Sequence, residues 1–208
     1  NEYRIQITGV QQFEHRPGTK TLILGWWNNG VFVGFDYWKH SGLLGSSPSF
    51  QIQQSCLNEA VTNGFAPCLK ENQEIAVAFR PDFFVEYIVN LENLHQFGEN
   101  LSDLSLLEQM ASQPERDLKQ EIESLPQERQ IVISAIQRRW RASDFRDRVL
   151  RAYNHYCAFC GLQLNLVQAA HILPVAHPES TDDTQNGISA GYLHHAAYDR
   201  GLITFDND

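Results

Sequence analysis

The sequence contains no apolar run as long as a membrane span, and its opening residues lack the charged, apolar and small-residue order of a secretory signal. Cysteine is scarce as well, because four cysteines among 208 residues are too few for a disulfide scaffold. We therefore expect a protein of the reducing cytoplasm with no membrane partner. The chain does have 42% apolar residues, enough for the cores of one large or two modest domains.

The charge of the chain is unevenly distributed. A formal net charge of −9 argues against a surface that binds nucleic acid everywhere, because phosphate contacts need clustered lysine and arginine. Between positions 138 and 151, however, six arginines accompany only two aspartates. This stretch predicts contacts to DNA phosphates by Arg138, Arg139, Arg141 and Arg148. A solvated helix face with arginine–aspartate pairs is the alternative.

The first part of the chain has the pattern of a β-rich or mixed α/β domain. Four short runs rich in β-branched and aromatic residues, at 21–27, 31–38, 49–53 and 74–80, predict strands. Asn29-Gly30 lies between the first two runs and predicts a hairpin. Helical spacing predicts helices over 54–63 and from Pro81 onwards. We predict a recognition or sensor domain over residues 1–96.

Three tryptophans, Trp26, Trp27 and Trp38, are crowded into two neighbouring predicted strands. Aromatic side chains at this density either fill a core or line a pocket in which a flipped base is stacked. The sequence leaves both interpretations open.

Residues 97–127 are polar and acidic, and Pro114 and Pro126 interrupt them. This composition predicts a linker with helical pieces. A helix resumes at Glu128 and leads into a final domain, which we place at 128–208. The predicted architecture is therefore α+β, with an N-terminal domain, a helical linker and a C-terminal module.

The segment from Cys157 to Leu202 combines a Cys pair, AAHILP around His171, NGI from Asn186 and HHAAYDRGL from His194. These motifs resemble the HNH nuclease motif. The resemblance implies a ββα-metal module, in which a two-stranded ribbon and a helix surround one divalent cation at the scissile phosphate of DNA. The residues agree with this shape, since 166–172 favours a strand, a polar loop follows, and a helix is plausible after Gly191.

The resemblance implies roles for three residues. His171 is the general base, a task that suits a neutral imidazole near pH 7. His195 binds the catalytic cation, Mg or Mn, and Asn186 either braces the loop that orients His171 or contributes to the metal shell. Many members of the family carry an aspartate directly before the base, but this chain has Ala170. Further oxygen ligands would then come from Asp182, Asp183 or Asp199.

A second metal site involves Cys157 and Cys160, since a C-x-x-C pair presents two thiolates to one tetrahedral zinc. In zinc-bearing relatives another pair lies ahead of the last motif histidine, at the positions of Gly191 and His194 here. Three ligands therefore remain. The segment holds either an incomplete structural zinc site or a zinc-free module with a buried Cys pair.

The whole arrangement is similar to prokaryotic restriction endonucleases in which a recognition domain precedes an HNH module. This implies a metal-dependent DNA endonuclease of restriction or antiviral defence, acting on DNA that can carry modified bases. One alternative is a catalytically weak or inactive HNH-fold DNA-binding protein. Another is a defence nuclease whose N-terminal domain senses a small ligand. The sequence leaves a homodimer open.

Overall fold

A computed structural model describes residues 1–45, 48–116 and 118–205 of the chain. The chain forms two compact units, Asn1–Trp140 and Arg141–Asp208. Both units combine helices and strands, so the predicted mixture of α and β structure is confirmed. No described helix has both the length and the apolar composition needed to cross a membrane.

The first unit is built on a four-stranded antiparallel sheet in the order β2-β3-β6-β5, and a smaller sheet pairs β1 with β4. Its strands are β1 (Glu2–Gln6), β2 (Ile23–Trp27), β3 (Val31–Phe35), β4 (Ser49–Gln53), β5 (Phe65–Leu69) and β6 (Ile75–Phe79). The predicted hairpin joins β2 and β3 through Gly30, whose φ of +87° places it in the left-handed region that glycine tolerates.

Helices cover both faces of this sheet. They are α1 (Gln54–Asn63), α2 (Phe84–His95), α3 (Leu101–Ser112), α4 (Lys119–Glu123) and α5 (Gln127–Ala152), the last of which ends in the second unit. Successive side chains of β6 point to opposite faces of the sheet, so this strand contributes to two cores. Val77 and Phe79 pack with helices α2, α3 and the start of α5, whereas Ala76 and Ala78 pack with α1 and β4.

The acidic segment 97–127 differs from its prediction as a linker. Leu104, Leu107 and Met110 on α3 are buried in the same core as Phe97 and Tyr87. Their spacing of three residues gives α3 one apolar face, whereas Glu108 is exposed and Asp103 is buried. The segment therefore belongs to the first unit, which continues to Trp140.

The sequence did not predict β5 or its crosslink. β5 contains Pro67, which argues against a central strand, but β5 lies at the sheet edge, where proline is tolerated. Cys68 on β5 forms a disulfide with Cys56 on α1. This corrects the expectation of reduced cysteines: α1 and β5 are neighbours in the fold, and the two Cα atoms lie 6.3 Å apart.

The second unit contains the predicted strand, loop and helix. β7 (Val167–His171) pairs antiparallel with β8 (Gly187–Gly191), and α6 (Tyr192–Asp199) follows directly. The C-terminal part of α5 packs on this ribbon. Gly187 makes the close approach, because a Cβ atom there would lie 2.1 Å from Val149 Cγ2 and 3.0 Å from Phe145 Cζ.

Candidate functional site

His171 ends β7 and is opposite Gly187 in the ladder. Its ring lies flat on Phe145 of α5, with ring centroids 3.9 Å apart and planes inclined by 8°. Nε2 lies 2.9 Å from Oδ1 of Asp182 in the loop between the two strands. The imidazole is therefore fixed on one face by an aromatic ring and at one nitrogen by a carboxylate.

Asn186 lies just before β8, and its side chain contacts the 173–181 part of the loop. Its amide nitrogen donates to the carbonyl oxygen of Thr181 at 2.8 Å, and Oδ1 accepts from the backbone N–H of Leu173 at 2.8 Å. The same amide nitrogen also contacts Leu173 O and Ser180 Oγ. Of the two roles predicted for Asn186, this geometry favours bracing of the loop.

His195 lies on α6, and both of its ring nitrogens have partners. Nδ1 lies 2.9 Å from Oε1 of Gln168 on β7, and Nε2 lies 3.5 Å from Oδ2 of Asp199. The separation from Asp199 is that of an ion pair, and it is longer than the about 3 Å between neighbouring ligands of one hard cation at metal–ligand bonds of about 2.1 Å. Ala170 is buried and contributes no ligand.

The two histidines predicted for the nuclease site thus each pair with a carboxylate, His171 with Asp182 and His195 with Asp199. Within the described ranges, only Cys157, Cys160 and His194 form a group of three metal-binding side chains, with ligand atoms within 4.8 Å of one another. A cation at His195 would find two protein side chains, His195 and Asp199. Water and a phosphate oxygen would have to complete such a shell.

The Cys157, Cys160 and His194 cluster has the dimensions of a zinc site. His194 Nδ1 lies 3.5 Å from Cys157 Sγ and 3.6 Å from Cys160 Sγ. A tetrahedral zinc with bonds of about 2.3 Å to sulfur and about 2.1 Å to nitrogen separates such ligands by about 3.6 Å. The three donors therefore already have the spacing that one zinc ion requires.

The surroundings of Cys157 favour its thiolate form. Burial alone would raise the pKa of this thiol, but hydrogen bonds from the backbone N–H groups of Gly191, Cys160 and Phe159 outweigh burial and lower the pKa to about 7. Gly191 also occupies the position of the missing fourth ligand. A Cβ atom there would lie 3.8 Å from both Cys157 Sγ and His194 Nδ1.

The arginines predicted to contact DNA have different environments. Arg138 and Arg141 are exposed on α5, and Arg139 is half-buried. Arg148 instead uses all three guanidinium nitrogens within the protein. It donates to Asp144 Oδ2, Thr184 Oγ1 and the carbonyl oxygen of Asp182, each at 2.7 Å. A phosphate contact by Arg148 would compete with these three bonds.

The three tryptophans do not share one pocket. Trp26 is exposed and meets the edge of Phe32, whereas Trp27 is half-buried against Tyr3. Both line an apolar cavity of about 80 Å³ between the two sheets of the first unit. Trp38 lies beyond the end of β3, against His15 and Tyr37. A base pocket shared by all three side chains does not form.

Comparison with known families agrees with this geometry. Residues 157–206 match the family model described as HNH endonuclease, so the predicted resemblance is confirmed and the chain carries an HNH endonuclease domain at this end. The match supports a nuclease with DNA as its substrate, and HNH domains bind divalent metal ions.

A second family model, described as Methylase-associated X1, matches residues 1–88. The chain therefore joins a methylase-associated N-terminal domain to an HNH module, as in a protein of the restriction type. Searches of curated proteins and of solved structures found no match.

Two contacts at the site were not predicted from the sequence. Gln168 on β7 forms a hydrogen bond with His195 on α6, and the ring of Phe145 stacks on the ring of His171. Phe145 and Val149 lie four positions apart and therefore share a helix face, but nothing in this spacing identifies His171 as the partner of Phe145. Gln168 lies on β7, three positions before His171, and no sequence signal distinguishes it from an ordinary strand residue.

Proposed function

We propose that the protein is a metal-dependent DNA endonuclease of a restriction or antiviral defence system. Cleavage is assigned to the unit Arg141–Asp208, and choice of substrate to the unit Asn1–Trp140. The observation that carries this proposal is the placement of His171, Asn186 and His195 at the strand end, loop and helix of one ββα module that matches the HNH family.

His171 is the proposed general base. Its Nε2 is engaged with Asp182, so Nδ1 is the nitrogen that accepts the proton of the attacking water. The water oxygen then bonds to phosphorus, the phosphorus bond to the leaving oxygen breaks, and that oxygen takes a proton from solvent. His195 and Asp199 would hold Mg or Mn, which when bound supplies positive charge to the phosphate and the leaving oxygen. Asn186 keeps the loop closed.

A structural zinc ion at Cys157, Cys160 and His194 is the second metal in the proposal. The spacing of these three donors and the lowered pKa of Cys157 support it. The apolar core of the second unit around Cys157 includes Leu150 and Val167, with Phe159 packed against it. A core of this size gains from a metal crosslink.

Plasmid nicking tests the proposal. Supercoiled plasmids with and without base modifications are incubated with the protein and Mg, Mn or chelator. We expect metal-dependent nicking by the wild type, none by His171→Ala, and normal nicking by His177→Ala, which removes another loop histidine as a matched control. Equal nicking by the His171→Ala variant would remove this residue from the mechanism. Nicking that depends on base modification would show that this protein recognises the modification.

The inactive alternative also has support. Ala170 stands where relatives carry a carboxylate, and the described residues gather only two metal-binding side chains at His195. A protein that binds DNA tightly and nicks no plasmid with either metal, under conditions where it is folded, would establish this alternative. Its HNH module would then serve as a binding fold.

The ligand-sensing alternative is favoured by a large cavity in the first unit. This cavity has a volume of about 830 Å³ and is lined by α1, β5 and α3, with Glu59 and Glu108 in its wall. Burial raises the pKa of both carboxyl groups, and the charge of Glu108 adds to the shift at Glu59. Thermal melts with nucleosides, nucleotides and polyamines test it, because a ligand should stabilise the wild type but not a Glu59→Ala variant.

We further propose that the protein acts in the cytoplasm, where its DNA substrate is found, and the Cys56–Cys68 disulfide then has to persist in a reducing compartment. A homodimer would let two HNH modules cut both strands of a duplex. Light scattering at several protein concentrations, with and without DNA, tests this, and a mass of one chain throughout would exclude the dimer.

A further inference from the structure

The 173–186 loop contributes a carboxylate that the nuclease motif does not include. Asp182 lies eleven positions after His171, and its Oδ1 is 2.9 Å from His171 Nε2. In the described part of the chain, no residue hydrogen bonds to His171 Nδ1. With Nε2–H donating to Asp182, the lone pair of a neutral imidazole lies on Nδ1.

Arg148 fixes the part of the loop that carries Asp182. Its Nη2 donates to the carbonyl oxygen of Asp182, and its Nη1 donates to Thr184 Oγ1, both at 2.7 Å. Asp144, one helical turn earlier on α5, holds the guanidinium at Nε. Because Arg148 binds the backbone carbonyl of Asp182, the carboxylate of Asp182 remains available to His171.

We infer that Asp182 is the positioning residue of His171 and that Arg148, predicted from sequence to bind DNA, is the positioning residue of Asp182. This inference rests on the proposed nuclease function. The aspartate selects the ring tautomer and the orientation of the base, and the aromatic ring of Phe145 restricts the imidazole to one plane. Asp182 is then not a ligand of the catalytic cation.

The first experiment compares Asp182→Asn and Asp182→Ala with Glu179→Gln, which removes another, exposed negative charge from the same loop. Single-turnover nicking measures the cleavage rate, filter binding measures DNA affinity, and ¹⁵N spectra of the imidazole show which nitrogen of His171 carries the proton. We expect the Asp182 variants to lose about 10- to 100-fold in rate with unchanged DNA affinity. The Nε2–H signal of His171 should give way to a mixture of tautomers, and Glu179→Gln should behave as wild type.

The ¹⁵N spectra test the role of Asp182 independently of the proposed nuclease function. If the wild-type protein nicks no plasmid, the tautomer of His171 still tests whether Asp182 orients it. Asp182 variants with the wild-type rate and tautomer would overturn the inference even when the nuclease is active. Loss of Mn affinity in these variants would overturn it too, because Asp182 would then be a metal ligand.

The second experiment compares Arg148→Ala and the milder Thr184→Val with Arg146→Ala, whose exposed arginine pairs with Asp147. We expect Arg148→Ala and Thr184→Val to slow cleavage and to change the His171 spectrum without altering the salt dependence of DNA binding. The double variant Asp182→Ala/Arg148→Ala should be no slower than Asp182→Ala. Arg146→Ala should retain the wild-type rate.

The opposite result would support the role predicted for Arg148 from the sequence, which is a contact to a DNA phosphate. Weaker DNA binding and a smaller salt slope in Arg148→Ala, with an unchanged His171 spectrum, would identify a phosphate contact. Thr184→Val leaves α5 intact and decides the question if Arg148→Ala does not fold. A wild-type rate and spectrum in Thr184→Val would then overturn the role of Arg148.

Discussion

Gly191 has no side chain, so it adds no fourth ligand to the cluster of Cys157, Cys160 and His194. A Cβ atom at this position meets the Cys157 and His194 donors at ordinary contact distance, so it fits without displacing either of them and brings residue 191 next to both. We expect Gly191→Cys to complete a Cys₃His site and to raise zinc affinity at least about tenfold. Competition with a chromogenic chelator measures the change.

Gly191→Ala is the matched control for that variant, because it adds the Cβ atom without a thiol. Its zinc affinity should equal that of the wild type. A Gly191→Cys variant that binds zinc no more tightly than Gly191→Ala would show that the fourth coordination position points away from residue 191.

Among the structural elements, the β5–β6 turn depends on one buried charge. Glu74 is fully buried, and its carboxylate accepts from Lys70 Nζ at 2.6 Å and contacts His40 Nε2 at 2.8 Å. Burial would raise the pKa of Glu74, but these two partners outweigh burial and lower the pKa from 4.5 to about 2. A carboxyl group with a lowered pKa contributes stability above its unfolded pKa and loses it as the pH falls.

We therefore expect the first unit to lose about 3 kcal/mol of its free energy of unfolding as the pH falls from about 5 towards 2. Urea titrations followed by near-ultraviolet circular dichroism at several pH values measure this. Glu74→Gln should be less stable than wild type at pH 6 and should show a flatter pH profile. Glu71→Gln, in the same turn but exposed, should keep the wild-type profile. Parallel profiles for all three proteins would contradict the assignment.

We expect the ββα module to depend on a zinc ion in a similar way. Cys157→Ser or Cys160→Ser should abolish zinc retention and lower the melting temperature of the second unit by at least about 5 °C, because metal-ligand energy contributes to the folding of small modules. Cys56→Ser, in the first unit, is the control and should leave the zinc content unchanged. Metal analysis of protein purified without chelator decides the point, and an absence of zinc from the wild type would establish a zinc-free module.

For the whole molecule, we expect an acidic chain to bind DNA through a small basic surface. Arg138 and Arg141 are exposed on α5, and no ion pair to either lies within the described ranges. Charge reversal at either residue should weaken binding to every DNA sequence alike and reduce the salt slope by about 1, because phosphate contacts carry little sequence information. Arg16→Glu, at an exposed arginine of the first unit, should change neither quantity.

The sequence predicted best what is encoded locally. Helix α1 and strand β4 agree residue for residue with their patterns, and the β2–β3 hairpin follows from Asn29-Gly30. The strand, loop and helix that hold His171, Asn186 and His195 were also predicted. What the sequence did not predict depends on contacts between distant residues: Arg148 reaches Thr184 across 36 positions, and the edge position that permits Pro67 arises only when the sheet assembles.

Gly187 shows how a residue without chemistry can be as indispensable as a catalytic one. It faces the helix from the ladder position opposite His171, and an added methyl group would collide with Val149 and Phe145. Any replacement would separate the β7–β8 ribbon from α5. The His171 imidazole would then lose its stacking on Phe145. In a saturation-mutagenesis screen for cleavage, position 187 should therefore be as intolerant as position 171, and only the melting temperatures of purified variants would tell the two apart.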